Sequence, residues 1–295
     1  MLKRGNGAPV ATQVLFSNIK VQIYQNPNSF HYILKSPVQG FNTTILELSL
    51  KKASMIVNAV PEGWEIIFQQ AHALLATQIA FEWRVADRPE RWVETLAAIA
   101  QHDDGQKFWA GKIGLTPAGA PANFTMLPFS LEQATQVMYE AKFQGRWRAL
   151  LTSMHLSFLY EELRGQNNRT DEFLNNQLEN QARWRKELKI NKKKAQQAYD
   201  LMQWCDRFSL ILCRSQLPEA ERTLEVSKGP DGVQYHVIQQ KDGSIKVTPW
   251  PFEKRHFTVS VEFICLTQLQ FQDEAELTEA LMNSPIQLKE WTISK

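Results

Sequence analysis

The run Tyr199-Asp-Leu-Met-Gln-Trp-Cys-Asp-Arg-Phe-Ser-Leu-Ile-Leu-Cys213 has the length of a helix and is apolar on nearly every side, with the carboxylate of Asp206 set inside it. A helix of that kind lies within a core rather than on a surface. A carboxylate carried there must meet a counter-charge, a set of hydrogen-bond donors or a metal ion, because an isolated one would take up a proton instead. The neighbouring Arg207 points about 100° away around the helix, so the partner of Asp206 has to come from another part of the chain.

Outward from this run, histidines fall on apolar helical faces. Phe68, His72, Leu75, Ala76, Ile79 and Trp83 follow one helical spacing, and Leu151, Met154, His155, Phe158, Leu159 and Glu162 follow another, which turns both imidazoles inward. Between them, Trp92, Leu96, Ile99 and Asp103 share one face of a helix that Gly105 would cap, placing the His102-Asp103 doublet at its buried end. His72, His102, Asp103, His155 and Asp206 are thus spread over separate predicted helices. Imidazoles and carboxylates in this proportion suit a divalent transition metal (Fe, Mn, Co, Ni or Zn) with coordination positions left open. A structural network of buried hydrogen bonds is the plain alternative, since a lone histidine on an apolar face is more often a core residue than a ligand.

The 295 residues, 43% hydrophobic and 11% aromatic, can bury a sizeable core. A formal charge of +2 exerts no global pull on nucleic acid or a membrane surface, and the basic run Lys189-Ile-Asn-Lys-Lys-Lys194 reads as a solvated helix junction. No stretch approaches the roughly 18 apolar residues of a membrane span, and the first residues lack the pattern of a signal peptide. A cytoplasmic protein is expected, with Cys205, Cys213 and Cys265 as free thiols.

Residues Met1–Ser54 hold strand-like pieces around 14–24 and 44–50 but little to turn them into a domain, so a loosely packed, dispensable extension is expected, with Met55 an internal start. Residues 55–295 then form one domain. A hairpin over 56–68 feeds the helix of His72, and helices follow near 69–84, 90–103, 130–142, 146–164, 170–188 and 193–214, with a loop at 111–129. Beyond Pro218 the period changes to that of strands, near 223–227, 233–238, 245–247 and 257–265, with a short helix at 274–282 and an extended piece at 286–293. The fold class expected is α+β and mostly α, a helical bundle bracketed by an antiparallel sheet built from the hairpin and the strands after 220.

A His on one helix, a His-Asp doublet ending the next and an Asp on a later helix resemble the HD-domain superfamily of metal-dependent phosphohydrolases over residues 69–214. The segments Ile99-Ala-Gln-His-Asp-Asp-Gly105, Leu151-Thr-Ser-Met-His155, Leu201-Met-Gln-Trp-Cys-Asp-Arg-Phe-Ser-Leu210 and Pro249-Trp-Pro-Phe252 are similar to the prokaryotic domain-of-unknown-function family numbered 3891, over about 55–266. The first resemblance implies an HD-like helical core with metal ligands at His72, His102, Asp103 and Asp206. It also implies that His155 either completes a second metal site or protonates the substrate. Gln106 stands where a lysine follows the glycine in the cyclic-dinucleotide branch, so that branch is not expected. Only His31, His236 and His256, all outside the helical core, remain to complete a di-iron set, so either Asp104 takes a bridging role or one metal is weak or missing.

The function this implies is hydrolysis of a small phosphoester, possibly a nucleotide. Asp104 or His155 would transfer the proton and Lys107 and Arg207 would meet the phosphate. A solvated lysine and a structural ion pair are the alternatives for those two cations. A metal- or ligand-binding protein without catalysis, and a mixed-metal oxygenase, are the competing functions; neither a nucleic-acid nor a membrane partner is expected.

Overall fold

The computed structural model of the chain describes residues 11–16, 19–26, 29–35, 52–103, 112–126 and 129–295. They fall into two compact units, Met1–Leu50 and Lys51–Lys295. In the first, strands β1 (Ala11–Phe16), β2 (Ile19–Asn26) and β3 (Ser29–Lys35) form an antiparallel sheet in sequence order. The strand expected near 44–50 lies outside the described residues.

In the second unit, β4 (Lys52–Ala53) pairs in parallel with β7 (Lys112–Ile113). β5 (Met55–Val60) and β6 (Gly63–Phe68) make the expected hairpin, and β6 passes without a loop into α1 (Gln69–Phe81). Gly63 has φ +137, and a Cβ there would stand 2.1 Å from the carbonyl oxygen of Leu266, so both its conformation and the close approach of the neighbouring strand require glycine. α2 (Trp92–Ala100), α3 (Leu131–Phe143), α4 (Arg146–Tyr160), α5 (Asn168–Glu187) and α6 (Lys192–Cys213) follow. The side chains of Ser130, Asn167 and Asn191 cap α3, α5 and α6 by accepting from backbone N–H groups of the first turn. The loop expected at 111–129 carries β7, the Leu115–Pro121 bridge and a short turn at Phe124–Met126. The chain ends with β8 (Leu224–Lys228), β9 (Gln234–Gln239), β10 (Ile245–Thr248), β11 (His256–Leu266), α7 (Glu274–Asn283) and β12 (Ile286–Ser294).

The expected helical bundle bracketed by an antiparallel sheet is overturned by the sheet itself. Its seven strands run in the order β5-β6-β11-β12-β10-β9-β8, and β12 lies parallel to β10, with Ile293 opposite Ile245. The fold is therefore α+β with a mixed sheet that makes a full layer of the core, not an HD-like bundle with an accessory hairpin. The physical reason is that the helices spend their apolar faces on the sheet as well as on one another. Ile56, Ile67, Val226, Val237, Ile245, Val247, Val259, Val261 and Ile293 join the same buried cluster as α1 and α6. Successive strand residues face opposite sides, so Met55 and Ile66 enter a second cluster with Ile264, Leu266, Phe271 and the α7 residues Leu277 and Leu281. The apolar stripe expected on α4 also turns outward at its end, where Phe158 and Leu159 are exposed.

Both clusters draw only on residues from Met55 onward, while Ser54 is buried and its carbonyl accepts from Gln69 N–H. The cut that respects the fold is thus at Lys51 rather than Met55. A chain beginning at Lys51 should unfold in one cooperative urea transition; aggregation or a broad, gradual transition would show that the first unit is part of the fold. Among the described residues no helix is long and apolar enough to cross a membrane.

Candidate metal centre

α1, the turn after α2, α4 and α6 bring His72, His102, Asp103, His155 and Asp206 together. α2 stops at Ala100, and Gln101–Asp103 form a turn rather than the last helical turn that the spacing implied. In a continuing helix the side chains of adjacent residues would diverge by about 100°; released from it, His102 and Asp103 both face the same point. His102 Nε2 lies 3.4 Å from Asp103 Oδ2 and 3.3 Å from Asp206 Oδ1. His72 Nε2 lies 2.8 Å from Asp103 Oδ2 and 3.8 Å from Asp206 Oδ1. The His102 ring stands edge-on to both His72 and His155, with centroids 5.0 and 5.3 Å away. Asp206 thus finds its counter-charge in imidazoles.

The chain itself holds the outer nitrogens. Ser209 donates its hydroxyl to the Asp206 carbonyl at 2.8 Å. The same oxygen lies 2.8 Å from His72 Nδ1, and His72 Nε2 is hydrogen-bonded to Asp103 Oδ2 at 2.8 Å. His102 Nδ1 donates to the Ile99 carbonyl at 2.6 Å, which turns Nε2 toward the two carboxylates. A proton or a metal ion on Nε2 would pair it with them. Buried donors and acceptors ordinarily find partners, yet His102 Nε2 and His155 Nδ1 are buried and hydrogen-bonded to nothing.

The donor set fits a metal ion on this ground. One ligand atom from each of His72, His102 and Asp206, or of His102, Asp103 and His155, lies within 4.8 Å of the others. Atoms sharing one ion at about 2.1 Å are separated by roughly 3.0–3.4 Å, so small side-chain shifts suffice to close the set. The hydrogen bonds to Ser209 and Ile99 are of the kind that orients ligating histidines.

The electrostatics favour a cation as well. Burial alone would raise the Asp206 carboxyl, but the His102, His72 and His155 rings hold it below the usual carboxylate range. Asp103 is lowered by His102 and His72 against the same burial. Burial pulls His102 down, yet the Asp103 and Asp206 charges outweigh it and raise the ring to about 10. His155, where burial dominates, is pushed down to about 4 and stays neutral. Both imidazoles facing the carboxylates are closed off, with 1% side-chain exposure, whereas Asp103 and Asp206 keep 11% and 14%. Solvent therefore meets the cluster on its carboxylate side.

Other residues singled out from the sequence fare differently. Arg207 is exposed on α6 and does not join the cluster. Asp104 and Lys107 lie outside the described residues. Ser209 and the buried Arg148, whose guanidinium donates to the Gln101 carbonyl at 3.4 Å beside the doublet, are not among the residues singled out from the sequence. The signal for Ser209 is that it stands one helical turn from Asp206.

No curated protein and no solved structure matches the chain. The model of the family described as "Protein of unknown function (DUF3891)" matches residues 55–268, a span holding every residue of the cluster, and the chain belongs to that family.

Proposed function

We propose that this protein is a metal-dependent hydrolase of a small phosphoester, its divalent transition ion held by His72, His102, Asp103 and Asp206 with His155 beside them. The observation that carries this reading is the convergence of three buried imidazoles and two carboxylates, with His102 Nε2 set between the carboxylates of Asp103 and Asp206 and His155 Nδ1 buried without a hydrogen-bond partner. Such an ion, when bound, polarises a phosphoryl oxygen and brings the pKa of a water ligand toward neutrality. The chain supplies the rest. Asp103 and Asp206 cancel the charge of a divalent ion, and Arg148 adds a buried positive charge next to the doublet, so the loaded site favours an anionic substrate. His155, neutral and with Nδ1 free, either completes the ligand set or accepts the proton of the attacking water. Asp104 and Lys107, which follow the doublet in sequence, keep their proposed parts in proton transfer and phosphate binding. Arg148 takes the anion-binding part that Arg207, facing solvent, does not.

Elemental analysis of protein purified without chelator, joined to an assay with p-nitrophenyl phosphate, tests the reading. About one transition ion per chain with turnover that chelator abolishes is the expected result. Metal without turnover on any phosphoester would favour the non-catalytic metal-binding reading, and absence of metal after reloading would overturn both.

A further inference from the structure

Two hydroxyls on the helices that carry the centre are buried and have no hydrogen-bond partner. Tyr199 is 4% exposed and Thr152 1%, and neither the phenol oxygen of the first nor Oγ1 of the second has a hydrogen-bond partner. Both belong to the faces that carry the cluster. Thr152 precedes His155 by three residues on α4 and Arg148 precedes Thr152 by four, which puts a polar stripe along one side of an otherwise apolar helix. Tyr199 precedes Asp206 by two turns of α6, and its ring centroid lies 6.2 Å from that of His155.

A buried donor without a partner destabilises the protein that carries it, because the group has lost water and gained nothing. Packing does not explain these hydroxyls, for phenylalanine and valine would fill the same space without that cost. What accounts for them is a molecule that enters the site and accepts from them. Beside a centre loaded with a divalent ion and flanked by Arg148, the acceptor that fits is an anionic oxygen.

We propose that Tyr199 and Thr152 form the phosphoryl subsite of this centre on its His155 side, their hydroxyls donating to the non-bridging oxygens of the substrate. The inference rests on the metal-hydrolase reading for its ion and adds the residues that select a tetrahedral anion. Both are positioning groups in the bound state, and a hydroxyl with no partner in the free protein gives them an unusual double signature. Removing either should weaken the ligand complex and should not weaken the free protein.

The experiment compares the full chain, loaded with the ion it carries on purification, with its Tyr199→Phe and Thr152→Val variants. Inorganic phosphate is titrated calorimetrically, and urea midpoints are taken on the chelator-treated proteins. Each variant is expected to retain its metal, to bind phosphate about tenfold more weakly or worse, and to unfold at the same or a higher urea concentration than the wild type. Unchanged phosphate affinity in both variants, or a lower urea midpoint, would overturn the subsite and return the hydroxyls to a structural role. A wild type that holds metal but binds no phosphate overturns it too. Failure of the wild type to take up any metal refutes instead the hydrolase reading on which the subsite stands.

Discussion

Asp206→Asn is expected to strip the protein of its metal while leaving α6 packed. The substitution conserves volume and one acceptor oxygen but removes the charge that faces His102 Nε2 at 3.3 Å and His72 Nε2 at 3.8 Å. A ligand set that loses one of its two carboxylates also loses half the negative charge that balances a divalent ion, so metal content should fall from about one ion per chain to background. Stability should follow the ion. An ion present at about 1,000 times its dissociation constant stabilises the folded state by about 4 kcal/mol, and that increment should vanish in the variant. After chelator treatment the variant should still be the less stable, because Asp206 is a counter-charge of the buried His102 ring in the free protein. Unchanged metal content, with the same loss of about 3–5 kcal/mol whether or not chelator is present, is the pattern of a broken structural ion pair and would refute the metal reading.

The residues brought together at this centre were legible because helical spacing is a local property. His72 and His155 sit among apolar residues at three- and four-residue intervals, and that periodicity alone turns them inward. The same rule carried one step further, to a polar residue one turn from Asp206, reaches Ser209. The end of α2 was less legible. Ile99-Ala-Gln-His-Asp continues the apolar pattern, yet the helix yields at Gln101 to a turn in which both members of the doublet face one point. Sheet order was not legible at all. Ile286–Ser294 reads as a terminal extended piece, with Ile286 and Leu288 exposed. Nothing local tells that it pairs along its length with β11, from Ile286 opposite Ile264 to Ser294 opposite His256, and meets β10 in parallel at its far end. Strand partners are chosen by non-local burial, in this case that of Ile245 and Ile293, both fully buried.

Helix and sheet layers meet at Trp204, two residues before Asp206, and Trp204→Ala is expected to be the most destabilising of the single substitutions considered. The side chain is fully buried, and its ring lies 5.0 Å from Trp83 at the end of α1, 5.5 Å from Tyr235 on β9 and 6.0 Å from Phe252. Its indole N–H has no acceptor, so its contribution is packing rather than a hydrogen bond. A buried tryptophan removes about 150–250 Å² from water, and truncating one to alanine leaves a cavity costing about 3–5 kcal/mol. Against a total of about 5–15 kcal/mol that is a large share. Trp204→Phe should recover much of it, and Phe143→Ala, at a ring 74% exposed on α3, should stay within about 0.5 kcal/mol of wild type. Because Trp204 and Asp206 lie two residues apart within one turn of α6, the alanine variant should also hold its metal less tightly, whereas the same protein with phenylalanine should not. Urea midpoints and metal stoichiometry on the three variants check this. A loss below about 1 kcal/mol at Trp204→Ala would mean that the helices and the sheet do not depend on this aromatic contact for their joint stability.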